Sequence, residues 1–102
     1  MKPVYGHLDL LILGALAEDE LHGYGLIERL REKSSGLFAL AEGTLYPALH
    51  RLEREKLLKS RWDGQATRRR RIYRVTEAGK KQLTAERAEW QAFARGVAAV
   101  LR

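Results

Sequence analysis

The sequence predicts an α+β fold, mostly helical, and three observations carry that prediction. Residues 8–55 hold three short segments whose apolar side chains recur every three or four positions. Residues 57–75 switch to loose alternation around a polar, glycine-containing centre, and a fourth helical segment then runs to about Leu101. Three-to-four spacing marks an amphipathic helix, whereas alternation marks a half-buried strand. A chain of 102 residues has material for one core. The organisation expected is a compact unit over residues 1–75 and a carboxyl-terminal helix over 76–102 that reaches beyond it. Folding at this length covers only about two thirds of the unfolded surface, so a projecting helix calls for a second subunit.

The first helix, Leu8 to Ala17, is apolar on nearly every side, with Leu8, Leu11, Ile12 and Ala15 on one stripe and Leu10, Leu13 and Ala17 on another. Such a helix is either central to its domain or shared with another subunit. The acidic triplet Glu18, Asp19 and Glu20 ends it in solvent. The second helix, about Gly23 to Lys33, has Tyr24, Leu26, Ile27 and Leu30 as its apolar positions and stops at Ser34, Ser35 and Gly36. A short apolar link, Leu37 to Leu40, leads to a third helix from about Glu42 to Glu55. Its buried stripe is Leu45, Ala48, Leu49 and Leu52, which leaves Thr44, Tyr46, Pro47, His50, Arg51 and Arg54 pointing outward. Pro47 falls in the first turn or just beyond it, where a missing N–H costs least. Leu57 to Trp62 and Arg70 to Val75 then read as a hairpin whose tip runs from Asp63 to Arg69. Thr76 is a good N-cap for the last helix, in which Leu83, Trp90, Phe93 and Val97 recur.

Charge separates the function classes. Lysine and arginine number 19 against 13 acids, a net of +6, and the excess is local: Arg51 to Arg74 holds ten basic and three acidic residues. An anionic partner should therefore meet one face. The absence of cysteine removes thiolate metal sites, and His7, His22 and His50 do not sit at metal-ligand spacing. No metal or cofactor is expected. Ser34, Ser35 and Ser60 lie outside any nucleophile elbow, so an enzyme is disfavoured. The longest apolar run, Leu10 to Ala17, is eight residues, against the roughly 20 of a membrane span. No membrane partner is expected, and the cytoplasm is the default location.

Three short helices followed by a basic hairpin is the order of a winged helix-turn-helix. In that arrangement the third helix enters the major groove of double-stranded DNA. Arg68, Arg69, Arg70 and Arg71 at the hairpin tip then have phosphates or a narrow minor groove as their target, since guanidinium pairs bidentately with phosphate. An arginine run by itself is most often a solvated turn, and His50 by itself is a polar surface residue. Their co-location on one side is what gives them meaning.

The segments LLILGALAEDELHGYGLIERL (Leu10 to Leu30), GTLYPALHRLE (Gly43 to Glu53) and RRRRIYRVTEAGK (Arg68 to Lys80) together resemble the PadR family of bacterial transcriptional regulators. The short carboxyl-terminal part resembles its smaller subfamily, whose members are homodimeric repressors. The resemblance implies that Thr44, Tyr46 and Pro47 begin the recognition helix, with Tyr46 contacting DNA, and that Arg68 to Arg71 form the wing tip. It also implies that Gly23 and Tyr24 begin the second helix, whose backbone N–H groups can hold a phosphate. Trp90 falls where some short members place an aromatic residue at the dimer interface, lining a pocket for planar or phenolic effectors. Two positions depart from the family pattern: Ala41 stands at the usual serine N-cap of the third helix, and Lys56 stands where a glycine usually follows it.

Trp90, Phe93 and Val97 share one helix face beyond the winged unit, so a partner should cover them. The expected arrangement is a two-fold homodimer in which the last helices pair and also cover Leu10, Leu13 and Ala17 of the opposite subunit. Such symmetry implies a palindromic operator. Two other readings stand beside this one. The first is a small-molecule or multidrug sensor whose interface pocket is the main activity. The second is a binder of RNA or anionic membranes that uses only the basic charge; it is disfavoured because no aromatic RNA-binding strands occur.

Overall fold

The computed structural model describes residues 7–65 and 69–102. Its elements run α1 (Leu8–Glu18), β1 (Leu21–His22), α2 (Gly23–Lys33), α3 (Glu42–Arg54), β2 (Leu58–Asp63), β3 (Arg70–Val75) and α4 (Glu77–Val100). The mostly helical α+β winged fold predicted from periodicity is the fold observed. The sheet has three antiparallel strands in the order β1-β3-β2. Within the hairpin Leu58 pairs with Val75, Ser60 with Tyr73 and Trp62 with Arg71. Leu58, Tyr73 and Val75 thus share a face, and all three are buried in the core.

That core is built around α1, against which α2, α3, α4 and β3 all pack. Ile12 and Leu13 are fully buried, together with Leu26, Leu45, Leu49 and Leu52. The expectation that Leu13 waits for a second subunit is therefore corrected. With four elements around it, α1 buries its first stripe and the middle of its second within its own chain, and Leu13 is enclosed. Leu10 is half-buried and Ala17 exposed.

The turn after α3 shows what a missing glycine entails. Lys56 has φ of 63°, a left-handed conformation in which a side chain with a Cβ is strained. The helix end is closed by Glu55 N–H donating to the Arg51 carbonyl and Leu57 N–H to that of Leu52. Thr76 fastens this turn to the next helix: its hydroxyl donates to the Lys56 carbonyl at 2.7 Å and accepts from Gly79 N–H at 3.0 Å. Gly79 must lack a side chain here, because a Cβ would come within 2.6 Å of Val75 Cγ1. The start of α4 is thereby pressed onto the hairpin, and Leu83 completes the core. Farther along, α4 leaves the core, and Trp90, Phe93, Val97, Val100 and Leu101 are exposed.

The acidic triplet is not idle in solvent. Glu18 pairs with Lys33, Asp19 with Arg29 of α2, and Glu20 with Arg61 of β2. Lys33, through its hydrogen bond first and its charge second, holds the Glu18 carboxyl below the usual range.

Candidate nucleic-acid interface

The amino terminus of α2, the outer side of α3 and the hairpin border a single open groove of about 490 Å³. Gly23, Tyr24, Tyr46, His50, Arg69, Arg70 and Arg71 line it, so seven of the residues singled out in the sequence are brought together.

Each has a local reason for its place. His22 caps α2: its Nδ1 accepts from Gly25 N–H at 3.1 Å, which replaces one bond that a helix start lacks. Gly23 follows, and a Cβ there would lie 2.6 Å from Tyr46 Cζ and 2.8 Å from Cε1. The Tyr46 ring thus rests on bare backbone, which joins α3 to the start of α2. Tyr46 and His50, one turn apart on α3, stand with ring centroids 6.4 Å apart. Tyr24 sits on the apolar repeat of α2 but is not a core residue. It is 57% exposed and faces the groove instead.

On the hairpin side, Arg70 Nη1 lies 3.0 Å from His22 Nε2. Nδ1 is already an acceptor, so the neutral ring carries its proton on Nε2, and two donors then face each other. An anionic oxygen placed there would accept from both. Among the described residues the ion pairs engage Arg29, Lys33, Arg51, Arg61 and Lys80, and none of them holds Arg69, Arg70 or Arg71. These guanidiniums face the groove without a carboxylate partner.

Not every sequence-predicted residue joins them. Arg51 turns away to Asp9 of α1 and Glu55, and the Asp9 hydrogen bond is the largest cause of its raised pKa. Arg51 ties α3 to α1 and does not border the groove. Thr44 is half-buried and Pro47 exposed on α3, and neither borders the groove. Pro47 is the sixth residue of the helix, just past the first turn, and it deprives only the carbonyl of exposed Gly43 of a partner. Arg68 lies outside the described residues. His22, Trp62 and Tyr73 line the groove without having been foreseen. Trp62 had a signal: it precedes the turn in an alternating strand facing an arginine run. His22 had one only as a polar residue before a helix start.

At the far end, the dimer and effector candidates form an aromatic cluster. Trp90 meets His7 edge-on at 5.1 Å and Phe93 at 5.9 Å between centroids. Trp90, Phe93 and Val97 are 42%, 45% and 40% exposed, so α4 carries an apolar stripe that the described residues leave open.

The sequence matches the profile of the Transcriptional regulator PadR-like family over residues 12–85. The chain belongs to that family. It is 41% identical over 88 residues to the transcriptional regulator Rv3488 of Mycobacterium tuberculosis, covering 86% of this chain and 79% of the relative. A transcriptional regulator from Clostridium thermocellum superposes with a TM-score of 0.88 at 32% identity, over 97% of both chains. Bacillus subtilis PadR, solved in complex with operator DNA, superposes with a TM-score of 0.69 at 29% identity, over 76% of this chain and 44% of that one. PadR-family proteins are transcriptional regulators, and this chain is a regulator rather than an enzyme. No helix among the described residues is long and apolar enough to cross a membrane.

Proposed function

We propose that this PadR-family regulator binds double-stranded DNA sequence-specifically, as a homodimeric repressor on a palindromic operator. One observation carries the reading: Tyr46 and His50 of α3 and Arg69 to Arg71 of the hairpin border the same groove. The α3 side chains are suited to base edges in the major groove, and the arginines to phosphates or the adjoining minor groove. Thr44 and Pro47 would flank the helix start, and Gly23 and Tyr24 a phosphate at the start of α2. The operator complex of B. subtilis PadR supports binding to DNA. The open stripe Trp90, Phe93 and Val97 supports pairing of α4 between subunits, with Leu10 and Ala17 at its margin. Two recognition helices related by a two-fold axis then read half-sites about 34–36 Å apart, or a multiple of that. Residues 1–75 would bind DNA, and residues 76–102 would join the subunits.

Footprinting on the DNA upstream of the chain's own coding region tests the proposal. A protected palindrome is expected. Arg69→Ala with Arg70→Ala should weaken binding to every sequence and flatten the plot of log K against log salt by about 1.8 per subunit. Tyr46 or His50 replacements should instead narrow the gap between operator and random DNA. An unaltered salt slope rejects the wing assignment, and a monomer at micromolar concentration in sedimentation rejects the dimer. A second reading, release by a planar or phenolic effector, is favoured by the His7–Trp90–Phe93 cluster. Its test is quenching of tryptophan emission together with loss of operator binding.

A further inference from the structure

Trp62 is exposed, on a strand end next to the turn, where an indole has no core to fill. Its relative exposure is 53%. The Cζ atoms of Arg69 and Arg71 stand 4.8 and 4.7 Å from its ring centroid. Register explains the arrangement. Trp62 is the cross-strand partner of Arg71, and Arg69, two residues earlier, projects to the same side as Arg71. One ring therefore serves two guanidiniums. Arg71 is fixed further: its Nε donates to Ser60 Oγ at 2.8 Å, and that hydroxyl donates to Glu53 of α3 at 2.5 Å. The tryptophan, the serine and the recognition helix thus define where this guanidinium sits.

We infer that Trp62 is a positioning residue for DNA binding, an aromatic rest that pre-orders Arg69 and Arg71 along the groove before the duplex arrives. The inference depends on the DNA-binding reading above. Free arginine side chains lose much rotamer freedom when they bind a phosphate. Two already gathered on a ring lose less, and their heads stay accessible because a guanidinium can stack on a π face while its N–H edges donate in the ring-parallel plane. Trp62 acts through the arginines and not by reading bases.

The test is a set of binding isotherms on one operator duplex at several salt concentrations. Trp62→Leu removes the π face but keeps an apolar side chain. It should weaken binding roughly tenfold, because both arginine side chains must then lose their rotamer freedom in the binding step itself. Its salt slope should equal the wild type's, because the number of phosphates met is unchanged. Trp62→Phe should recover most of the loss. In an Arg69→Ala, Arg71→Ala background, Trp62→Leu should have no further effect, since nothing remains to be positioned. A purely structural role would instead lower the melting temperature and weaken binding in both backgrounds. If Trp62→Leu binds like wild type, or loses tenfold in the Arg69→Ala, Arg71→Ala background as well, the inference is overturned. If wild type binds no duplex, or the arginine replacements leave its affinity intact, the DNA-binding reading itself fails, and the two failures are distinct.

Discussion

Gly23→Ala tests the joint between the two helices that shape the groove. The backbone at Gly23 is ordinary helix start, since it is absent from the positive-φ residues among those described, so alanine carries no conformational penalty there. The cost must come from Tyr46, whose Cζ and Cε1 lie 2.6 and 2.8 Å from the new methyl. Inserting a methyl group into a closed contact costs about 1–3 kcal/mol, less whatever alanine gains in helix propensity, which is below about 1 kcal/mol. A net loss of about 1–2 kcal/mol lowers the melting temperature by about 4–8 °C per kcal/mol in a domain of this size. The ring has buried Gly23 on one side and the groove on the other, so it should swing into the groove and weaken operator binding too. Thermal unfolding by circular dichroism and a binding isotherm measure both effects. The decisive comparison is a double-mutant cycle with Tyr46→Ala, which deletes the clashing ring. Adding Gly23→Ala to Tyr46→Ala should cost almost nothing, a coupling of about 1–3 kcal/mol. Strict additivity, or a Gly23→Ala protein that melts with the wild type, would refute the argument that the ring occupies the glycine's missing side chain.

Two further outcomes follow from the backbone and the core. Lys56→Gly should stabilise the protein: release of the left-handed strain at φ 63° is worth roughly 1–2 kcal/mol, and glycine's larger unfolded-state entropy takes back roughly 0.5–1. A urea midpoint below the wild type's would contradict this. Burial, followed by the nearby Glu53 carboxylate, raises the Tyr73 phenol above its ordinary value of 10.0, so the folded state binds its proton more tightly than the unfolded chain. The contribution is complete below pH 10 and declines as the pH rises through the folded-state value, with a slope of at most about 1.4 kcal/mol per pH unit. Tyr73→Phe should lose this part of the alkaline dependence, and identical pH profiles for the two proteins would refute the assignment.

Periodicity was enough to read the helices, because Leu45, Leu49 and Leu52 recur at helical spacing and are all buried. It could not reveal β1, since two residues, Leu21 and His22, have no period. They become a strand only because the open edge of β3 accepts them, Leu21 opposite Tyr73 and His22 opposite Ile72. Leu13 as an interface residue and Tyr24 as a core residue were misread for opposite reasons. α1 is apolar on nearly all sides, so sequence cannot say which element covers which stripe; Tyr24 sits on an apolar repeat but at a helix start that borders the groove. The basic run made Arg69 to Arg71 legible as a group. Arg51 was not, because its partner Asp9 is 42 residues away.

The ion pairs also decide how much of the local basic excess a duplex would feel. Exposed pairs contribute about 0–1 kcal/mol each to stability, so their larger consequence is where they leave charge unpaired. Arg51 is neutralised by Asp9 and Glu55, and Arg61 by Glu20. Two of the ten basic residues between Arg51 and Arg74 are therefore occupied by the fold itself. Arg69, Arg70 and Arg71 border the groove with no such partner among the described residues. The charge of these three guanidiniums thus faces the concavity between α3 and the hairpin, and in the proposed binding mode it would turn an approaching duplex toward the surface that carries Tyr46 and His50. Those three arginines alone would give a salt slope of roughly −2.7 per subunit. Freeing Arg61 by Glu20→Gln should then raise affinity for random DNA more than for the operator, because the released charge lies outside the set that lines the groove. Equal gains on both duplexes would mean that the groove does not define the docked orientation.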